Sequence, residues 1–256
     1  MSEIMMFLEY RISMVFMLIY MLTFLSLKYS RRKTALIVTG SFLLTNIIEN
    51  ITMLENFPAE LNMFLLVLEI IIVQLTAVCL SSYRDMRSVF TGITSATYVL
   101  PGNILYMGAV ALYKTDPPFW LLALPAGVHL LILLVSAHLL RDKYLEEMEK
   151  SSRLWNELWI VPAFFYAITY MLTMWSDSFF KKWQNWVAIF LILILMDIIF
   201  IFTIRMISSL HDEEEIENGR ELLEIYASGL EGQTEELKKW KNSSGFFAMI
   251  TSIGIR

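Results

Sequence analysis

One cysteine, three histidines and six prolines among 256 residues leave little material for several kinds of chemistry. Cys79 alone can neither close a disulfide within the chain nor build a cysteine metal cluster, and in its apolar run it reads as a small packed side chain. No glycine-rich phosphate loop, H-E-x-x-H, G-x-S-x-G or cysteine–histidine cluster occurs, so soluble-enzyme signatures are missing and neither a cofactor nor a metal is expected. His129 and His138 lie inside one apolar run. His211, next to Asp212 and preceded by Leu210, reads as an interfacial residue rather than a phosphoacceptor. Charge is also scarce, at 18% of residues, and the net −5 comes largely from Glu213, Glu214, Glu215, Glu217, Glu221 and Glu224, so it says nothing about nucleic acid, which is not expected as a partner. The N-terminal MSEIMMFLEYR lacks the basic region and small-residue cleavage site of a signal peptide and is kept in the mature chain. Neither an internal repeat nor a low-complexity linker is evident.

What is abundant is apolar sequence: 57% of residues are hydrophobic and the mean hydropathy is +0.57, which defines an all-α, polytopic membrane protein. Seven stretches, at about 5–27, 34–54, 61–80, 89–112, 118–140, 155–175 and 185–206, have the ~20-residue length that a hydrocarbon layer requires. Basic residues follow the first (Lys28, Arg31, Arg32, Lys33), third (Arg84, Arg87) and fifth (Arg141, Lys143, Lys150, Arg153) stretches. The other side carries Lys114, Lys181 and Lys182 beside Glu55, Glu60, Asp116 and Asp177. The positive-inside rule then puts the N-terminus outside the cell membrane and the C-terminus in the cytoplasm. Tyr83, Tyr113, Trp120, Trp155, Trp175, Trp183 and Trp186 suit an interfacial aromatic belt. Pro101, in a PGN break within the fourth stretch, predicts a kink, and Pro125 and Pro162 predict others nearer span ends.

Polar side chains inside the spans each need a reason, because insertion of a charge at mid-bilayer costs about 2.5–3.5 kcal/mol. Asn46, Glu49 and Asn50 share one helix face by their i, i+3, i+4 spacing. Glu69, Asn103, His129 and Asp197 sit nearer the midplane of their runs, and Gln74 adds an amide in the third. Two readings are open. One is an outward-facing polar pocket for an unidentified ligand; the other is interhelical hydrogen bonding that holds the bundle together. An ionisable array of this kind also suits a proton or ion path.

Beyond the last apolar run, Ile216, Leu223, Leu230 and Leu237 fall seven apart, with Tyr226 and Trp240 three residues after two of them. That is an a/d seam, which predicts that residues 207–240 form a helix pairing with a second copy of the chain. The organisation expected is a membrane domain at 1–206, a dimerisation helix at 207–240 and a disordered or out-of-frame tail at 241–256.

The runs VFTGITSATYVLPGN (Val89 to Asn103) and LLEIYASGLEGQTEELKK (Leu222 to Lys239) resemble the membrane sensor part and first linker helix of bacterial sensor histidine kinases of the GHKL type. The resemblance implies signal sensing in a two-component system and a homodimer in the bilayer. In such proteins an R-H-D motif and an ATPase domain follow the stem; neither occurs in these residues, so no enzymatic activity carries over. A small polytopic transport-type or accessory protein is the competing reading. The stretch SSGFFAMITSIGIR has the look of an out-of-frame end; the alternative is a natural, poorly ordered terminus. Read one nucleotide earlier, the codons for Ala248 to Ile253 permit R-H-D, with only the aspartate forced. Sequencing the gene tests this: the alternative frame should continue through R-H-D into an ATP-binding domain, and a stop within a few codons refutes it.

Overall fold

The computed structural model describes residues 2–54, 59–113, 117–150, 155–174 and 182–253. Among them every regular element is helical: α1 (Ser2–Phe24), α2 (Arg31–Leu54), α3 (Ala59–Leu80), α4 (Met86–Tyr98), α5 (Leu100–Leu112), a 3-10 turn (Phe119–Leu122), α6 (Ala123–Leu139), α7 (Arg141–Lys150), α8 (Trp155–Leu158), α9 (Ile160–Met174) and α10 (Trp183–Ile253). Two compact units result, Met1–Ile207 and Ser208–Arg256.

Among the described residues three segments are long and apolar enough to cross a membrane, Ile4–Phe24, Arg31–Ile51 and Phe119–Leu139, and they mark the chain as a membrane protein. Val67–Leu80 and Gln184–Leu195 are apolar but shorter. The expected fourth span is divided into α4 and α5, 13 residues each, at Val99. Its cause is two residues further on: Pro101 has no N–H for the preceding turn and its ring crowds the carbonyl four residues back. Pro125 and Pro162 likewise follow interruptions near span ends, after the 3-10 turn and after α8. Each is the third residue of its helix, α6 and α9, in the first turn where a missing N–H leaves no bond unmade.

In the first unit α1 is the central helix. Of its apolar window 44% is buried, against 22% and 17% for the other two long segments, and it packs against α2, α4, α5, α6 and α7. Tyr20 stacks on Phe24 at 4.5 Å and on Tyr98 of α4 at 4.1 Å between ring centroids. This ladder ends in a cap over one end of the bundle. Tyr144 of α7, fully buried, meets Phe24 and Trp155 edge-on, and its hydroxyl lies 2.7 Å from Thr91 Oγ1. Burial pushes the Tyr144 hydroxyl pKa up, partly opposed by the Thr91 bond. Trp155, expected in an interfacial belt, is instead a core residue, and Arg141–Lys150, expected as a loop, is a helix burying Tyr144, Glu147 and Met148 along one stripe. Cys79 departs from expectation too: α3 presents it on the outer surface.

The loops at this end are tied together. Lys28 N–H donates to Leu80 O at 2.9 Å, Ser82 N–H to Ser26 O at 2.8 Å, and Arg141 Nε to Thr23 O at 3.1 Å. The three basic connections therefore meet at one end of the first unit. Arg87, 11% exposed, holds the cap: it pairs with Asp85 at 2.6 Å, donates to Met148 O at 2.5 Å and lies 4.0 Å over the Tyr83 ring. Asp85 in turn caps α4, accepting from the Arg87 backbone N–H.

In the second unit α10 is helical through Ile253, into the stretch without an apolar period. Ile216, Leu223, Tyr226, Leu230, Leu237 and Trp240 are all more than 60% exposed. Replacing Arg87 by Ala takes the guanidinium away from the Asp85 carboxylate and from one α7 carbonyl, and should lower stability by about 2 kcal/mol. Arg84→Ala, at an exposed neighbour, should stay within about 0.5 kcal/mol. Denaturation in detergent micelles reads both, and equal losses would contradict the cap.

Candidate functional site

Ser13 is the tenth of 21 residues in its apolar segment and His129 the eleventh of 21 in its own, so both stand at mid-span. They meet there: Ser13 Oγ lies 3.1 Å from His129 Nε2 and donates to Glu9 Oε1, one turn back on α1, at 3.0 Å. Asn103 completes the group from α5. With its amide nitrogen turned to the cluster, which its neighbours favour, Nδ2 lies 2.6 Å from Ser13 Oγ, 2.9 Å from Glu9 Oε1 and 2.9 Å from Val99 O. Glu9, Ser13 and His129 are all buried. In a hydrocarbon surround a buried polar group left unpaired costs several kcal/mol, so these three helices are drawn to one point.

Glycine makes the approach of α5 to α6 possible. A Cβ on Gly102 would collide with the imidazole of His129, lying 2.6 Å from Nδ1. That Nδ1 faces the glycine backbone and has no hydrogen-bond partner among the described residues. Tyr98 OH closes the other side by donating to His129 O, and Phe16 lies 5.5 Å from the ring. The geometry is not that of a nucleophilic triad. There an acid orients the second imidazole nitrogen, whereas here the carboxyl group bonds the hydroxyl and that nitrogen has no acid.

A second set of contacts leaves the other faces of α1. Tyr10 OH donates to Glu69 Oε2 of α3 at 2.6 Å; Arg11 Nη2 donates to Asn50 Oδ1 of α2 at 3.1 Å and lies 3.8 Å over Phe7. Glu49 sits within electrostatic range of Glu9, Tyr10 and Glu69. Between the two sets is a cavity of about 100 Å³ lined by Tyr10, Ser13, Thr45, Glu69, Gln74 and Asn103 among others. It has room for a few waters or a small ion.

Of the eight polar residues singled out from sequence, Asn103 and His129 share one hydrogen-bonded cluster, Glu49, Asn50 and Glu69 border the second set, and Gln74 lines the cavity between them. Asn46 is buried but spends its amide on Phe42 O of its own helix, at 2.5 Å. The Asp197 side chain lies outside the described residues. Sequence reasoning missed Glu9, Tyr10, Arg11 and Ser13, the residues that join the others. The signal was there: Glu9 and Arg11 are charges inside an apolar run, close enough to its start to pass for flanking residues. No group of three or more His, Cys, Asp or Glu side chains suited to a metal ion occurs among the described residues. Comparison with protein-family models, with curated proteins and with solved structures gives no match to this chain.

The glycine contact is open to test. Gly102→Ala should destabilise the protein by about 1–3 kcal/mol through overpacking on the ring. The loss should shrink by at least half in a His129→Ala background. Additive losses in the double-mutant cycle, read by denaturation in micelles, would mean that the ring does not set the α5–α6 distance.

Proposed function

We propose that the chain is the membrane input domain of a two-component sensor histidine kinase: seven membrane helices, N-terminus outside, and a cytoplasmic stem through which two copies pair in parallel. Its part is sensing and dimerisation, with no catalysis by these residues. The observation that carries this is the stem helix with its a/d residues exposed in the single copy. If Ile216, Leu223, Leu230 and Leu237 are a positions, the flanking g and e positions include Glu215 with Arg220 and Glu236 with Lys241. In a parallel, in-register pair each glutamate lies opposite the base five residues on in the partner helix; in an antiparallel pair these like charges would face one another. The polar cluster around Ser13 is then the bistable element that a stimulus reaching the membrane domain would bias. Convergence of the three basic loops at one end of the first unit supports the assigned orientation.

A transport role is favoured by one observation, the small cavity with the Glu69 carboxylate in its wall and Glu9 hydrogen-bonded to two of its lining residues. Proton or cation flux in liposomes carrying the purified protein, lost on Glu69→Gln, would establish it in place of the sensor reading.

The sensor reading makes two expectations. A cysteine at Leu230 should cross-link to its copy under mild oxidation several-fold more than one at Ser228, and equal yields would remove the a/d interface. Cysteines at positions 32 and 143 should resist a membrane-impermeant thiol reagent applied from outside, while one at 57 reacts, in a Cys79→Ser background. The reverse pattern puts the stem outside the cell and ends the proposal.

A further inference from the structure

One cavity in the first unit belongs to neither the polar cluster nor the stem. It measures about 260 Å³, and its walls include Phe90 and Thr94 of α4, Ile132 and Leu139 of α6, Phe165 of α9 and Ile201 of α10. These residues lie toward the end of the bundle where the basic loops meet: Phe90 follows the Asp85 cap by one turn, and Leu139 ends α6 one residue short of Leu140, also in the wall. Two wall residues, Leu139 at 66% and Ile201 at 42% exposure, reach the outer surface, so the cavity opens sideways. In a membrane protein that opening faces hydrocarbon. The next residue along the chain after Leu140 is Arg141, whose side chain is about half exposed, donates Nε to Thr23 O and pairs with the open carboxylate of Asp142; exposed Lys143 follows.

We propose that this cavity is a binding site for a single-chain anionic amphiphile of the fatty-acid class, its chain entering sideways and its carboxylate held at Arg141. Three observations select that occupant. The walls are mostly aliphatic and aromatic, which suits a hydrocarbon chain. The volume lies just below the ~300 Å³ at which cavities for drug-sized ligands begin, which admits one chain and not the two of a phospholipid. A half-exposed guanidinium one residue beyond Leu140 of the wall can match a carboxylate by two parallel hydrogen bonds. The site is independent of the sensor reading and rests on the membrane placement alone. Bound there, the chain would touch α4, α6, α9 and α10 at once and add to their packing.

The full chain in nanodiscs of zwitterionic lipid, labelled with a photoreactive diazirine palmitic acid and, separately, with the matching alcohol, tests this. Label from the acid should map by mass spectrometry to residues 132–140 and 161–165 and be competed by unlabelled palmitate. Ser136→Phe, which fills the cavity, should cut the label at least fivefold; Val161→Phe gives a second filling variant, and a melting curve shows which of them folds. Arg141→Gln should weaken labelling by the acid about tenfold and leave the alcohol unchanged. Label spread over the outward-facing Leu131 and Leu134, indifferent to palmitate and to the folded filling variant, would overturn the site. Equal loss of acid and alcohol in Arg141→Gln would overturn the carboxylate contact.

Discussion

A hydroxyl at the middle of a buried helix has no water to turn to, and Ser13 meets that constraint with Glu9, Asn103 and His129. The arrangement of the first unit depends on it. An apolar surround gives helices little reason to pack one way rather than another, since lipid tails are as apolar as leucine; polar groups that must be satisfied internally supply the reason. Ser13 and Glu9 commit one face of α1 to α5 and α6. Tyr10 and Arg11, one and two residues on from Glu9, commit the neighbouring faces to α3 and α2. The helix so surrounded is also the most buried of the long apolar segments, as the centre of such a scheme must be.

The two stretches of α1's packing work by different means. At mid-span the specifying groups are polar and few. At the basic end they are aromatic and many: Tyr20, Phe24, Tyr98, Tyr144 and Trp155 interleave through stacked and edge-on contacts, and Arg87 fixes the lid above them. Aromatic contact is tolerant of small rotations, whereas a three-way hydrogen bond is not. The polar end therefore sets the angular position of α1, and the aromatic end supplies much of the buried area.

The long apolar runs of α1, α2 and α6 were legible because length and hydropathy are local properties, and so was the break before Pro101, which follows from one ring and one missing N–H. Which polar residues would find each other was not. Asn46, Glu49 and Asn50 share a face by spacing, yet Asn46 bonds its own helix while Asn50 meets Arg11, thirty-nine residues away in sequence. Spacing fixes a face; only packing fixes a partner. Trp155 and Cys79 failed for a related reason. A tryptophan at the end of a run looks interfacial until a short helix such as α7 folds over it, and a cysteine within an apolar run looks packed until its face of α3 turns out to be the outer one. The stem's helical state was readable from its period, and its heptad residues are exposed in the single copy.

The Ser13 hydroxyl carries one hydrogen, and in the His129 tautomer protonated at Nδ1 two acceptors stand within reach of it, Glu9 Oε1 at 3.0 Å and His129 Nε2 at 3.1 Å. The two choices differ by rotation about a single Cβ–Oγ bond. Rotations of that kind take picoseconds to nanoseconds and require no helix to move. The cluster thus has two hydrogen-bond arrangements that share one set of heavy-atom positions. A change of state there would be visible to the O–H and C=O stretching bands of infrared spectroscopy before any displacement of the backbone could register it.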